Sequence, residues 1–365
     1  MHPLPKENRL VSPHFAFYLI HTMQIGVGIL GFERYIAQPA GYDAWISIIV
    51  SGVSISVLLW IGYRILHRGQ NDLVAIHHDL FGKWVGGALS LYFILYFTAF
   101  VITVLRTYLE VIQIWMFPEV NIWVLTVVFL LLAHSFVTGG FRVVTGLCVL
   151  SLLFTIPLLF LKYFPLKEAH FYNMLPVLNH SFKDILISAK KMTLNYLGFE
   201  LIFIYYPFLK EPKKSEKWAQ FGLLFSMSIY LFTALVSFAY FNQDQLKSTV
   251  WATLTLWKVV DFPFLQRFEY MGIAIWLFVI LPNVCLSVWA ASRVAKQLFA
   301  IPQRLALYPI LLVVLAVSGL LMNREQIDRF NTAVSAIGFY TNYLYFPLLY
   351  VLQTFIYKVR KRKHA

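Results

Sequence analysis

Long apolar runs broken by short polar connectors dominate the chain, and narrow helical stripes of apolar residues beside polar faces are missing. A membrane helix needs about 20 apolar residues to cross the hydrocarbon core. Applied along the sequence, that rule predicts spans near 12–32, 43–63, 84–115, 121–138, 143–161, 186–209, 217–241, 268–299, 304–322 and 333–357. The fourth and fifth are separated only by Gly139, Gly140, Phe141 and Arg142, which predicts a tight helical hairpin. Two connectors, roughly 162–185 and 242–267, are longer and hold prolines and aromatics suited to a membrane surface. The fold class expected is therefore an all-α membrane protein of about ten transmembrane helices.

Five spans precede the 162–185 connector and five follow it. Because five is odd, equal halves would be inverted relative to each other, a five-plus-five inverted repeat as in many secondary transporters. The expected organisation is one transmembrane domain over 1–365, with repeats 1–161 and 186–357 and a basic cytoplasmic tail at 358–365. The third span of each half is about 30 residues long and must tilt.

Composition agrees with this reading. Of 365 residues, 59% are hydrophobic and only 13% charged, so a water-facing surface could not be covered with polar groups. The net charge of +13 gathers in connectors on the N-terminal side, such as Lys210, Lys213, Lys214 and Lys217, and in the tail from Lys358. By the positive-inside rule both termini are expected to be cytoplasmic. A nucleic-acid role is not expected, because no basic patch is interleaved with aromatics in a soluble module. Met1 to Leu10 carries Lys6, Glu7 and Arg9 ahead of a span too long for a signal peptide, so that span is read as retained.

Candidate chemistry is sparse. Cys148 and Cys285 lie in apolar segments and read as free buried thiols. His77 and His78 lack the carboxylates and spacing of a metal site, and no phosphate-cradling Gly-rich loop or catalytic set is present. Neither an enzyme nor a bound cofactor or metal is expected.

Ligand chemistry is better represented. The first span reads Gln24-Ile25-Gly26-Val27-Gly28-Ile29-Leu30-Gly31. Glycines there weaken the helix and let its backbone groups face a carboxylate, or they let a neighbouring helix pack closely. The sixth span reads Thr193-Leu194-Asn195-Tyr196-Leu197-Gly198-Phe199-Glu200. Gly198 can open that helix and free carbonyls for an ammonium group. Asn195 adds a polar side chain at that level, and Phe199 a ring able to close a pocket. Glu200 can hold the broken helix through freed N–H groups, bind an ammonium, carry a proton, or simply bond a neighbouring helix. Phe97 and Phe100 of the third span can line a pocket or pack as aromatics. Asn283 follows Pro282 at a predicted kink and can reach the site or merely accompany the bend. Arg106 and Glu110, four apart, are expected to pair with each other outside the site.

Five stretches together carry a family likeness: SPHFAFYLIHTMQIGVGILGFERYIAQPAGYDAWIS from Ser12, FGKWVGG before the third span, LRTYLEVIQ within it, MLPVL in the outer connector, and YLGFELIFIYYPFLKEPKK from Tyr196. With them the chain resembles the B subunits of spore germinant receptors, in the amino acid–polyamine–organocation superfamily, over nearly its whole length. The resemblance implies a permease-like subunit that senses a small germinant in the inner spore membrane alongside an A subunit and a lipoprotein C subunit. It implies that Gly26, Val27 and Gly28 form an unwound segment, and that Leu197, Gly198 and Phe199 form the matching break. Phe32-Glu33-Arg34 stands where members often carry a proline. The function expected is germinant sensing, with an amino acid as ligand; the alternative is a proton- or sodium-coupled amino acid permease.

Overall fold

The computed structural model describes residues 5–363 apart from Phe264, and these are helical nearly throughout. Among the described residues, six helices are long and apolar enough to cross a membrane, and Ile122–Thr138 is a shorter apolar helix. The remaining crossings are made by helices that break or change pitch. Large apolar side chains such as Val57, Leu95, Leu131, Leu153, Leu312 and Phe355 point outward, as lipid contact requires.

The first span is helical over Phe15–Gln24, loses its helix at Ile25 (φ −104°, ψ 104°), and resumes as a helix over Phe32–Ala40. It therefore runs eight residues past the predicted end at 32. The sixth crossing comprises Phe182–Lys191, Thr193–Tyr196 and, beyond a break at Leu197–Gly198, the turns from Phe199 to Phe208. Gly198 has φ +100°, a conformation costly for any residue with a Cβ. The break thus has a local cause in the sequence.

The long helices sit where expected. Leu73–Trp115 contains Gly82 at φ +74°, which separates a short N-terminal segment from the third span proper. Asn121 caps the fourth span through Trp123 N–H at 2.9 Å, and Gly140 at φ +91° turns the chain into the fifth. The third span and the eighth, Phe268–Phe299, form the most extensive helix pair, and the first half of span one packs on Ser215–Tyr240 and Phe141–Phe160. Cys148 and Cys285 are buried free thiols.

The tenth span departs from expectation. Its helix begins at Arg324, nine residues before the predicted 333, set by a capping box between Asn323 and Gln326. A wide π turn at Thr341–Tyr345 interrupts it before Phe346–Lys363. The basic residues from Lys358 continue this last helix, while His364 and Ala365 lie outside the described residues. A hydropathy window stops at polar residues even where the helix does not, and this moved the boundary.

The expected Arg106–Glu110 pair is also corrected. Arg106 Nε donates to the Leu321 carbonyl at 2.7 Å, and Glu110 instead pairs with Arg324 at 2.7 Å. Helical spacing permits a four-apart pair, but a better-placed cation on another helix wins.

Two buried carboxylates tie the long connectors to the spans. Glu33 accepts hydrogen bonds from Ser237 at 2.9 Å and Thr253 at 2.7 Å, tying the second half of span one to the seventh span and the second long connector. Asp43 accepts the N–H groups of Leu178, Asn179 and His180 at 2.6, 2.9 and 3.1 Å, pinning the first long connector.

Candidate ligand site

The breaks in spans one and six meet. A Cβ on Gly28 would fall on the Asn195 amide, and a Cβ on Gly198 would press on Met23, 2.7 Å from its Cβ. Beside them lies a cavity of about 390 Å³, a size suited to small molecules. Five crossings contribute to it beside the breaks: Met23, Gln24, Gly26, Val27, Gly28 and Phe32 from the first, Phe100, Thr103, Val104 and Thr107 from the third, Leu194 and Asn195 from the sixth, Tyr230 from the seventh, and Asn283 from the eighth. Its outer part is lined by Tyr35, Lys191, Trp251, Arg324, Asp328, Asn331, Thr332 and Ser335.

The glycine segment is open because the helix has ended, not because its glycines adopt left-handed conformations. The N–H groups of Gly26, Val27 and Gly28 find no acceptor among the described residues. The carbonyls just before them are taken: Tyr230 Oη donates to Gln24 O at 2.7 Å, and Asn283 Nδ2 donates to Ile25 O at 3.3 Å. Asn283 Nδ2 also donates to Val279 O at 2.7 Å, so the amide reaches the site from the bend at Pro282.

The inner lining is neutral and under-bonded. The Gln24 amide, the Thr103 hydroxyl and the side-chain oxygens of Asn195, Asn283 and Asn331 are buried without a protein partner among the described residues. Of the charged groups in the outer part, Arg324 and Asp328 pair with each other, whereas Lys191 has a neutral partner. Arg324 bonds Glu110, Tyr35 at 3.0 Å and Asp328 at 3.1 Å, and lies 4.8 Å from the Trp251 ring. Lys191 Nζ donates to Gln38 Oε1 at 2.8 Å.

Of the residues singled out from sequence, Gly26, Val27, Gly28, Phe100, Asn195 and Asn283 border this cavity. Phe97, Leu197, Gly198, Phe199 and Glu200 are outside its lining. Phe97 packs with Phe93 and Tyr96, and Leu197 covers Gly338. Phe199 is completely buried. Glu200 stabilises the break itself, accepting Gly198 N–H at 2.9 Å on Oε2 and the Tyr96 hydroxyl on Oε1. His77 is bonded to Ser90 and Tyr345, and no cluster of metal-ligating residues occurs among the described residues.

Gln24, Thr103 and the face from Arg324 to Ser335 were missed from sequence. The last was legible in principle: residues 324, 328, 331 and 335 recur at helical spacing, but a rule seeking apolar windows discards such a polar stretch.

Residues 10–327 match the spore germination protein family. The chain is 40% identical to spore germination protein GerQB of Bacillus cereus, over 96% of this chain and 98% of that protein. It is 27% identical to spore germination protein B2 of Bacillus subtilis over 69% of each. Among solved structures, a Na+-coupled sialic acid symporter aligns with a TM-score of 0.67 at 14% identity, covering 91% of this chain and 77% of that one. MhsT in complex with L-phenylalanine aligns at 0.62 and 12%, covering 92% and 87%. The shared fold is the five-plus-five inverted repeat of these transporters.

Proposed function

Because this chain belongs to the spore germination protein family, we propose that it is the membrane subunit of a nutrient germinant receptor, binding a small germinant where its two broken spans meet. The observation that carries this reading is the cavity lined by Gly26–Gly28, whose N–H groups find no acceptor among the described residues. In this reading an amino acid rests its carboxylate on those N–H groups. Its ammonium lies against the sixth span before Gly198, at the level of Leu194 and Asn195. Unpaired N–H groups at a helix break favour an anion.

A ligand touching both breaks binds one arrangement of the two half-spans better than another. That difference in affinity is what shifts a population. The shift passes to an A and a C subunit of the receptor, with both termini on the cytoplasmic side of the inner spore or cytoplasmic membrane. The halves 1–161 and 186–357 are the repeats that move, and the tail from 358 meets the cytoplasmic surface.

The second reading is a proton- or sodium-coupled amino acid permease, favoured by the fold shared with a Na+-coupled symporter. Against proton carriage by Glu200 stands its double engagement with Gly198 and Tyr96.

The test pairs germination of spores carrying Gly28→Leu with uptake of labelled amino acid into proteoliposomes of the purified protein. Loss of the nutrient response, with the protein still present in the membrane and no uptake by wild type, supports the receptor. Uptake driven by a pH or sodium gradient and abolished by Glu200→Gln supports the permease. An undiminished response in Gly28→Leu overturns the site.

A further inference from the structure

The last helix, Phe346–Lys363, has two unlike sides. Leu348, Val351, Leu352 and Phe355 are exposed and share one face at helical spacing, as contact with hydrocarbon requires. The opposite face is held by the protein. Gln353 Nε2 donates to the Ile65 carbonyl at 3.1 Å, Tyr357 Oη to Asp79 at 3.0 Å, and Arg360 to Asp79 at 2.9 Å. These bonds fix the rotation of the helix. Lys358 and Arg362 follow Val351 and Phe355 by two turns and therefore continue the apolar face. Both are exposed, and neither forms an ion pair among the described residues; the nearby Asp79 carboxylate is taken by Arg360. Span two, Ala44–Gly69, packs beside this helix. Its Arg68 lies 4.8 Å from the Tyr350 ring and bonds the Thr354 hydroxyl, one turn before Lys358, so its partners are neutral. Trp60 of span two, 41% exposed, lies 6.5 Å from the same Tyr350 ring. Such Trp and Tyr pairs mark the level where hydrocarbon gives way to headgroups.

We propose that Arg68, Lys358 and Arg362 form a site for the phosphate of an anionic phospholipid whose tails lie along the Val351–Phe355 face. Lys358 and Arg362 stand about 5 and 10 Å beyond Phe355 along the helix axis. The headgroup layer that follows the hydrocarbon edge is about 5–8 Å thick, and both side chains are long enough to reach back into it. A guanidinium and an ammonium with no protein counter-charge match a phosphate. Arg64 stays outside the site, because it faces Glu216 at 4.0 Å. The occupant is lipid and not a soluble acidic protein, since the cations continue a face whose preceding side chains are immersed in hydrocarbon. Each cation held near an anionic surface strengthens attachment about fivefold. The site lies on the surface of spans two and ten, away from the cavity between spans one and six, and is independent of the receptor reading.

The experiment is thermal unfolding of the full-length protein in detergent micelles doped with phosphatidylglycerol, with phosphatidylcholine of the same chains, or with inorganic phosphate added to the buffer. The result expected is a concentration-dependent rise in midpoint with phosphatidylglycerol alone. Lys358→Gln and Arg362→Gln remove no bond within the protein, so both should fold as wild type does. Each should raise the half-maximal phosphatidylglycerol concentration about fivefold, and the double variant about twenty-fivefold. Lys214→Gln, whose cation is already paired with Glu211 at 2.5 Å, should leave it unchanged. An equal rise with phosphatidylcholine overturns the proposal, because the effect is then that of hydrocarbon alone. An equal rise with inorganic phosphate overturns lipid as the source of the phosphate. No rise with phosphatidylglycerol, or the same half-maximal concentration in the double variant, overturns the site.

Discussion

The amide of Asn195 occupies the space into which a Cβ on Gly28 would project. Two residues 167 positions apart are thus matched in size, and the match brings the broken stretches of spans one and six together at the cavity. At Gly26 the corresponding neighbour is Asn283 Oδ1, 3.2 Å from an added Cβ. The first contact admits no methyl group without displacing Asn195, whereas the second requires a shift of a few tenths of an ångström.

Gly28→Ala should therefore be worse than Gly26→Ala. Overpacking costs about 1–3 kcal/mol, so Gly28→Ala should lower the thermal midpoint by several degrees and abolish ligand-dependent stabilisation. Gly26→Ala should retain a reduced response. Unfolding scans with and without the responding ligand check the order.

The break of span six is held by the Glu200 carboxylate, which accepts from Gly198 N–H and from Tyr96. Glu200→Ala leaves two buried donors unpaired, a loss of about 2–4 kcal/mol. Tyr96→Phe removes one partner and should cost about 1 kcal/mol. Gly198→Ala should also destabilise, because φ is +100° and Met23 crowds the added Cβ. A double-mutant cycle between Tyr96→Phe and Glu200→Gln should show coupling, read from the midpoints of the four proteins.

Arg324 joins spans one, three and ten through Tyr35, Glu110 and Asp328. Removing it leaves Glu110, 4% exposed, without its cation. Breaking a buried pair costs about 3–5 kcal/mol, and partial solvent access to Arg324 brings the expectation to about 2 kcal/mol. Glu110→Gln in the Arg324→Ala background should recover part of the loss, because the uncompensated charge is gone. Thermal unfolding of the single and double variants measures it.

Asp43 pins the first long connector by three backbone N–H groups. Phe171, Tyr172, Leu175 and Phe182 in and beside that connector are exposed, and His170 N–H and Asn173 Nδ2 tie its first part to the Ala239 carbonyl, so the stretch beyond Asn173 depends on Asp43. Asp43→Ala should release it, and limited chymotrypsin digestion should cut between 171 and 182 several times faster than in wild type. Cutting at an unchanged rate would show that the connector is anchored elsewhere.

Much was legible in the chain before folding was considered. Run lengths of apolar residues located the crossings because hydrocarbon imposes the same demand on every segment. Gly26, Gly28 and Gly198 announced the two breaks, since each lacks the side chain that would oppose its contact or conformation. Asn195 and Asn283 were noticed as amides in apolar surroundings. Glu200 was noticed too, but four roles were open to it, and the contact with Tyr96, 104 positions away, places it behind the break.

What the tertiary structure alone decided is which polar groups share one space. Gln24, Thr103 and Asn331 are unremarked polar residues in their own segments, and only the packing of spans one, three and ten turns them toward a common cavity. The same packing gave Glu110 to Arg324 in place of Arg106. Hydropathy is a sum over one segment against lipid and so is readable locally. A binding chamber depends on the faces that distant segments turn toward each other, and those are set by long-range packing.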